Sequence, residues 1–366
     1  MKKTLPVIII MLVLAALLSA CSGGSNRLAA TSWPGVSVSE DAIFVAFGNR
    51  VYALDPVTGI ERWKFPNEPG KTQSFFSAPI LVEDDSQLII GGYDNILYSV
   101  DPATGNQNTW SFAGATNRYI GDPLTTARAI FAPSADGNLY ALDTNGQSLW
   151  AAPFHSDDPF WSQPVLSGDM LYQAGLDHSL YAINATTGAE RWATDLGAPI
   201  ASSPALADGI LYAGTFGSEV VALDADTGEV LWRTATDDWV WGGPVVSAGI
   251  VYIGDINGTL YALDADGGDE RWRFKSDGGI YSAPLVIDGV IFFGTDTGHF
   301  YAIGADNSVA WTFAFTGRIF TTPDLSGELL IIATIEGDRL LTALDLEGSP
   351  RWTYTPADQS TPTPTD

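Results

Sequence analysis

The sequence predicts an all-β chain that folds as a single eight-bladed β-propeller of four-stranded antiparallel blades. Three observations lead to this prediction. A phrase of the type Leu-Tyr-Ala-Leu-Asp, followed by a tryptophan, occurs eight times, and in four copies Thr-Gly lies between them. A proline landmark recurs eight times in step with it, at a period of about 40 residues. Between these landmarks, short apolar runs alternate with Gly and Asp turn signals, and no helical periodicity is evident.

The two landmarks agree in every unit, although the last two copies match the phrase less completely. The repeated tryptophans are Trp63, Trp110, Trp150, Trp192, Trp232, Trp272, Trp311 and Trp352. The prolines that open the units are Pro34, Pro79, Pro123, Pro164, Pro204, Pro244, Pro284 and Pro323. Length alone suggests two domains, but eight matched repeats indicate one closed array.

The fifth unit shows the four predicted strands most plainly. We predict strands at residues 203–206, 210–214, 220–224 and 230–234, separated by turns at Asp208-Gly209, Phe216-Gly217 and Thr227-Gly228. Glycine reaches positive φ without steric cost, which suits tight hairpins. Short strands repeated radially leave only short edges, as in a propeller.

The repeated tryptophan and the third-strand tyrosine are predicted to pack in the core. A flat ring on the outer strand can wedge against the next blade. Burying about 200 Å² of tryptophan stabilises the fold by at most about 5 kcal/mol. The tyrosine and the Leu or Ile two residues later share one face of the strand, which suits the layer between blades.

The N-terminal residues have the pattern of an export signal. Lys2 and Lys3 precede an apolar run over residues 6–18, and Leu18-Ser19-Ala20-Cys21 follows. These last four residues resemble the lipobox of bacterial lipoproteins, which implies cleavage before Cys21 and its acylation. An ordinary signal peptide that ends near a cysteine is the alternative. Cys21 is the single cysteine of the chain, so disulfides are excluded and lipidation would explain the lone thiol.

These features predict four segments. They are a signal peptide at 1–20, a lipidated linker at 21–33, the propeller at 34–354 and a Thr/Pro-rich, unpacked tail at 355–366. The expected location is the cell envelope, either the periplasmic face of an outer membrane or the outer face of the cytoplasmic membrane. Multiple acyl chains anchor stably where one does not. Ser22 follows the cysteine and, by Gram-negative sorting rules, permits transport to the outer membrane.

The net charge of −26 is carried by 43 acidic and 17 basic residues. A chain this acidic is not expected to bind nucleic acid, or to adhere to anionic lipid by charge. A surplus of acidic residues can also simply keep a protein soluble, without implying any binding partner.

The repeated phrase, with Ser-Ser-Pro and Asp-Gly-x-Leu-Tyr-x-Gly before it, resembles the pyrroloquinoline-quinone (PQQ) repeat over residues 34–354. The resemblance implies an eight-bladed propeller and three broad uses. These are quinoprotein alcohol dehydrogenases, the propeller lipoprotein of the outer-membrane β-barrel assembly machinery, and sensor or ligand-binding modules of the envelope.

The residues do not support the dehydrogenase reading. Quinoprotein dehydrogenases stack PQQ on a disulfide between adjacent cysteines and bind Ca²⁺ beside a catalytic Asp, and this chain has no cysteine pair. The acidic stretch 264–270 departs from the spacing of a calcium loop and is interpreted as a turn. His155, His178 and His299 fall in different units without metal-ligand spacing. We therefore expect no cofactor, no metal and no catalysis, with an enzyme or a sensor module as the alternatives.

One recurring position predicts a partner-binding rim. The residue three positions before each landmark proline should lie on one face of the ring, near the mouth of the central channel. From the second unit onward these residues are Phe76, Ile120, Trp161, Ala201, Trp241, Tyr281 and Phe320, with Phe160 and Trp239 nearby and Arg118 and Arg318 two residues earlier. Exposed aromatics and arginines are typical of binding hot spots. Packing between blades is the alternative. The expected function is that of a membrane-anchored protein-binding scaffold with a role in outer-membrane protein assembly.

Overall fold

The computed structural model describes residues 33–357 as eight four-stranded antiparallel sheets. Each sheet is one blade and uses four consecutive strands of the chain. The strands of blades 1 to 4 are β1 Gly35–Val38, β2 Ile43–Phe47, β3 Arg50–Leu54, β4 Glu61–Phe65, β5 Ile80–Leu81, β6 Leu88–Gly91, β7 Leu97–Val100, β8 Gln107–Phe112, β9 Leu124–Thr125, β10 Ile130–Pro133, β11 Asn138–Leu142, β12 Phe154–His155, β13 Val165–Ser167, β14 Met170–Ala174, β15 Ser179–Asn184 and β16 Glu190–Asp195.

Blades 5 to 8 continue the pattern. Their strands are β17 Ala205–Ala207, β18 Ile210–Thr215, β19 Glu219–Asp224, β20 Val230–Ala235, β21 Val245–Ser247, β22 Ile250–Gly254, β23 Thr259–Asp264, β24 Glu270–Lys275, β25 Leu285–Ile287, β26 Val290–Gly294, β27 His299–Gly304, β28 Val309–Ala314, β29 Asp324–Ser326, β30 Leu329–Ala333, β31 Leu341–Asp345 and β32 Pro350–Tyr354. The predicted all-β, eight-bladed propeller is confirmed, and residues 33–357 contain no helix that is long and apolar enough to cross a membrane. Residues 1–32 and 358–366, which include the predicted signal peptide and Cys21, lie outside the described part.

The hydrophobic core is divided into eight clusters, one between each pair of neighbouring blades. One of them joins Tyr172 and Leu180 of blade 4 to Leu211 and Leu223 of blade 5. The cluster that closes the ring joins blade 8 to blade 1. The second and third strands of each blade are almost wholly buried because both of their faces contact a neighbouring blade.

The repeated Asp-x-x-Thr-Gly turn explains how the wedge forms. In blade 1, the Asp55 carboxylate accepts hydrogen bonds from the backbone N–H of Thr58 (2.9 Å) and from its hydroxyl (2.8 Å). Gly59 then adopts φ +69°, and a Cβ there would lie 2.4 Å from the ring of Trp352. Two features of this position therefore favour glycine: the positive φ of the backbone and the close approach of the tryptophan ring.

The tryptophan of each blade spans the interface to the next one. The ring of Trp232 in blade 5 lies against Gly268 of blade 6, and its Nε1–H donates to the carbonyl of Ala265 at 3.0 Å. Seven of the eight tryptophans donate to a backbone carbonyl of the following blade, whereas Trp110 donates to Gln87 of its own blade. The predicted wedge is confirmed. The rings are partly buried, with Trp150 the most enclosed at 5 % exposure.

The ring closes by side-chain contacts, because blade 8 takes all four of its strands from the C-terminal end of the described chain. Trp352 packs on Gly59 of blade 1 and donates to the Pro56 carbonyl at 3.2 Å. The Tyr354 hydroxyl donates to the Glu61 carboxylate at 2.6 Å. The seam thus reuses the wedge that joins consecutive blades.

Blade 3 departs from the expected repeat. Its fourth strand β12 has two residues, and Trp150 precedes it instead of lying within it. Pro153 stands directly before β12 and has no N–H to offer to a strand ladder.

Candidate partner-binding rim

The segments that join the fourth strand of one blade to the first strand of the next lie on the same face of the ring as the turns between second and third strands. We call this the linker face. Backbone hydrogen bonds fix the two sets to each other. The N–H of Phe216, in the turn between β18 and β19, donates to the Pro199 carbonyl of the linker at 3.0 Å, and Ile256 donates to the Trp239 carbonyl at 3.0 Å.

A second repeated hydrogen bond decides which linker residue enters the core. From Pro79 onward, the residue four positions before each landmark proline donates its N–H to the preceding blade, as Val240 does to the Thr215 carbonyl at 3.1 Å. Every member of this set is buried: Phe75, Tyr119, Phe160, Ile200, Val240, Ile280 and Ile319. Phe160 is therefore a core residue and not part of the rim. The predicted rim residues come one position later, and all but Phe320 remain partly exposed.

Three of the predicted rim residues form one continuous aromatic surface. Trp241 stacks on Phe216 (ring centroids 4.9 Å apart) and contacts Tyr281 at 6.2 Å, and Tyr281 meets the edge of Phe320 at 5.0 Å. Trp239 also stacks on Phe216, at 5.4 Å, and is 48 % exposed. We call Phe216, Trp239, Trp241, Tyr281 and Phe320 the Trp241 cluster.

Trp33, which precedes β1, covers part of this cluster. Its ring stacks on Phe320 at 5.1 Å with an interplanar angle of 17° and meets the edge of Trp241 at 5.9 Å. Trp241 introduces blade 6, three blades away from blade 1 around the ring. The Trp33 side chain therefore reaches across the linker face from blade 1 to the linker of blade 6.

Phe76 belongs to a separate, smaller cluster. It contacts Phe47 at 6.4 Å and Tyr93 at 5.0 Å, and the Arg118 guanidinium lies 5.0 Å from the centroid of the Tyr93 ring. The structure does not bring Trp161 into either cluster. In the described chain Trp161 has no ring contact, and its buried Nε1 has no hydrogen-bond partner. Ile120 and Ala201 are partly buried.

The two rim arginines differ in their electrostatic surroundings. Arg318 lies over the Phe320 ring at 4.7 Å and also faces Asp296 at 3.8 Å and Glu336 at 3.7 Å. Within residues 33–357, Arg118 has no carboxylate within 4.0 Å. Burial raises the pKa of Tyr281, and the carboxylates of Asp296 and Asp238 act in the same direction, so both acids lie near the Trp241 cluster. Acidic groups therefore outnumber basic ones beside these rings.

Asp122, directly before Pro123, is a half-buried carboxyl on the innermost part of the ring. Its Oδ1 accepts a hydrogen bond from the Ala78 N–H at 2.6 Å. Burial raises the pKa of Asp122 to about 6, against the lowering effect of its hydrogen bonds. The neighbouring first strands are linked by similar contacts, such as Gln163 Nε2 to the Pro123 carbonyl at 2.9 Å.

The remaining candidate residues have local structural partners. Asp264 accepts the backbone N–H of Asp266 at 3.0 Å and pairs with Arg271 at 2.6 Å, which holds the pKa of Asp264 below its usual range. The stretch 264–270 is therefore built like the equivalent turns. His155 Nδ1 lies 3.0 Å from Asn138, His299 contacts Asp277, and His178 occupies a turn with φ 75°. Among residues 33–357 no group of three metal-ligating side chains is assembled.

Sequence reasoning did not include Trp33, Phe216, Phe47 and Tyr93 in the rim. Phe216 and Tyr93 occupy the turn between second and third strands, where other blades carry residues such as Ala135 and Asp296. The equivalent residues in the other blades include Leu176, Ile256 and Ile335, so the position is mostly apolar. Only the aromatic ring at Phe216 and Tyr93 is a signal that sequence inspection could have used. Trp33 adjoins Pro34, outside the counted offset.

The blade count, the consecutive strand order and the Trp-on-glycine interfaces define the class as a PQQ-repeat β-propeller. The chain belongs to the family described as outer membrane protein assembly factor BamB. The family model matches residues 24–159, 135–238, 216–306 and 286–365.

Solved structures agree on the fold. BamB from Moraxella catarrhalis superposes with a TM-score of 0.71 and 18% identity, over 88% of this chain and 96% of that one. The computationally designed Ika8 protein superposes with a TM-score of 0.75 and 14% sequence identity, over 86% of this chain and 96% of that one. A designed protein fits as well as a natural one, so these matches establish the fold alone. A search of curated proteins finds no match.

Proposed function

We propose that this protein is a membrane-tethered, non-enzymatic scaffold of the cell envelope that takes part in outer-membrane protein assembly by binding a protein partner through its linker face. Family membership supports the assembly role. The observation that carries the binding role is the Trp241 cluster, where five aromatic side chains from four blades meet on one face and Trp239 stays 48 % exposed.

The blade packing does not require large side chains at the rim positions. The core position of each linker is already filled by the preceding residue, such as Val240. The bulky side chains at the next position are therefore not needed for blade packing. Large aromatic surfaces that stay partly in water are typical of protein interfaces. Phe76, Trp161, Trp241, Tyr281, Phe320, Arg118 and Arg318 remain the proposed contact residues, with the Trp241 cluster at the centre.

The experiment that tests the assembly role is affinity purification of the tagged protein from native membranes, with mass spectrometry of what co-purifies. We expect a β-barrel assembly protein in the eluate at an amount comparable to the tagged chain. Its absence, with and without cross-linking, would contradict the role. Addition of PQQ and Ca²⁺ to purified protein tests the enzyme alternative, because alcohol-dependent dye reduction would overturn a purely scaffolding function.

The tether is proposed to be an acylated Cys21 that holds the propeller at the envelope. Cys21→Ala should leave the propeller folded, since residues 33–357 include its complete ring of blades, and should release it from the membrane fraction. Fractionation with a melting curve on the soluble pool checks this prediction. A variant that still sediments with membranes would show that another contact holds the protein there.

A further inference from the structure

The Trp241 cluster already holds one aromatic side chain, and that side chain comes from the chain itself. Trp33 lies two residues before β1, outside the hydrogen-bonded ladder of its own blade. Its ring is stacked on Phe320 at 5.1 Å and edge-on to Trp241 at 5.9 Å. Both host rings belong to the linkers of other blades.

The blade repeat does not require an aromatic residue at this position. The residues directly before the other seven landmark prolines are Ala78, Asp122, Gln163, Ser203, Gly243, Ala283 and Thr322. All of these blades form with small or polar residues there. The Trp33 ring is therefore specific to the site that it occupies and is not part of blade architecture.

The aromatic surface extends beyond the area that Trp33 covers. Phe216 stacks with both Trp239 and Trp241, and Trp239 is the one aromatic residue among the large exposed apolar side chains of residues 33–357. A ligand that displaces Trp33 would find further rings beside the vacated place. Stacked and edge-to-face pairs are the arrangements that aromatic rings prefer.

The charges around the cluster limit the chemistry of such a ligand. Asp238 and Asp296 lie near Tyr281, and the nearby Arg318 faces both Asp296 and Glu336. The protein as a whole carries a net charge of −26. Complementarity therefore favours basic residues beside the ligand's aromatic side chain.

We propose that Trp33 occupies a subsite for an aromatic side chain, and that the Trp241 cluster binds an extended polypeptide segment carrying an aromatic residue flanked by basic residues, in competition with Trp33. This inference rests on the proposed function and adds the chemistry of the partner. A site that is partly occupied by its own chain shows an apparent affinity reduced by the fraction that is closed.

The test is a fluorescence-anisotropy titration of the full mature protein with a labelled Lys-Thr-Trp-Thr-Lys peptide. Trp33→Ala should bind the peptide about 10-fold more tightly than the wild type, which corresponds to about 1.4 kcal/mol. Trp33→Phe should bind like the wild type because a ring still fills the subsite. Trp241→Ala, added to Trp33→Ala, should remove the gain.

Control peptides and melting curves complete the test. Replacing Trp by Ala in the peptide should abolish binding, and replacing both Lys by Glu should weaken it. Trp33→Ala should lower the melting temperature by less than about 3 °C. An unchanged affinity of Trp33→Ala, equal binding of the Ala peptide, or a much larger loss of stability would overturn the proposal.

The two proposals fail in different ways. If no assembly protein co-purifies from membranes but Trp33→Ala still gains affinity, the assembly role fails and the aromatic subsite stands. If the assembly protein co-purifies and Trp33→Ala binds the peptide like the wild type, the subsite alone fails.

Discussion

The tryptophans at the blade interfaces and those on the linker face of this propeller differ in how regularly their contacts repeat. At the blade interfaces, Trp232 and its equivalents each lie on the neighbouring blade, and most donate Nε1–H to a backbone carbonyl of that blade. On the linker face, Trp241 stacks on Phe216 while Trp161, at the equivalent position, has no ring partner within the described residues. The first set repeats its contacts and the second set repeats only its position.

This difference distinguishes side chains that blade packing requires from side chains that it only tolerates. An interface that forms eight times favours one solution, so the ring, the glycine and the carbonyl acceptor recur together in most blades. The exceptions are Asn307 (φ 67°), which replaces the glycine in blade 7, and Gln87, which accepts the Trp110 hydrogen bond. Linker residues three positions before the prolines lie beside a core position that is already filled, so they are free to vary. We propose that the aromatic rings assembled on one side of the ring serve to bind a partner.

The largest effect is expected from disturbing a blade interface. Gly268→Ala should destabilise the protein by about 3 kcal/mol or more, because Gly268 has φ +74° and a Cβ there would lie 2.6 Å from the Trp232 ring. Gly249→Ala is the matched control in the same blade, with φ +73° and open space around it. It should cost about 1 kcal/mol, from the backbone alone.

Urea unfolding of both variants measures the difference. A gap of about 2 kcal/mol would assign that amount to the approach of Trp232 to Gly268. Equal losses would mean that the ring moves aside without cost and that the wedge contributes little.

A smaller change in stability, this time a gain, is expected from a substitution of Asp122 on the linker side. Burial raises the pKa of Asp122 from 3.8 to about 6, so the folded state disfavours the ionised carboxylate. The stability linked to Asp122 is therefore complete below about pH 3.8 and is lost as the pH rises through about 6. Asp122→Asn keeps an acceptor for the Ala78 N–H and should stabilise the protein at pH 7.5 by about 1–3 kcal/mol.

Chemical unfolding of Asp122→Asn and wild type at pH 7.5 and pH 4 checks the sign. The gain should largely disappear at the lower pH, where wild-type Asp122 is protonated in the fold. A variant that is less stable than wild type at pH 7.5 would show that hydrogen bonding to the carboxylate outweighs its burial.

The sequence predicts the fold well because every blade repeats the same local requirements. The turn residue with positive φ, the strand-three phrase and the tryptophan each serve one interface, and each can be recognised within about 40 residues. The rim is harder to predict, because its contacts join residues from different blades. Trp161 and Trp241 look equivalent in the sequence, yet the turn residue that meets Trp241 is Phe216, and its equivalent beside Trp161 is Ala135. Likewise, nothing in the local sequence indicates that Trp33 reaches blade 6.

The central claim is that one tryptophan set stabilises the ring while the other binds a partner, and paired alanine variants test it most directly. Trp232→Ala, Trp241→Ala and the control Ile60→Ala, a 66 % exposed residue in a third-to-fourth-strand turn, are compared for stability and for partner capture from native membranes. We expect Trp232→Ala to lose about 3–5 kcal/mol of stability. Trp241→Ala should lose less than about 1 kcal/mol of stability while its capture weakens by more than about 1 kcal/mol. Ile60→Ala should change neither. A large loss of stability in Trp241→Ala, with unchanged capture by the folded fraction, would contradict the account and assign Trp241 to the core.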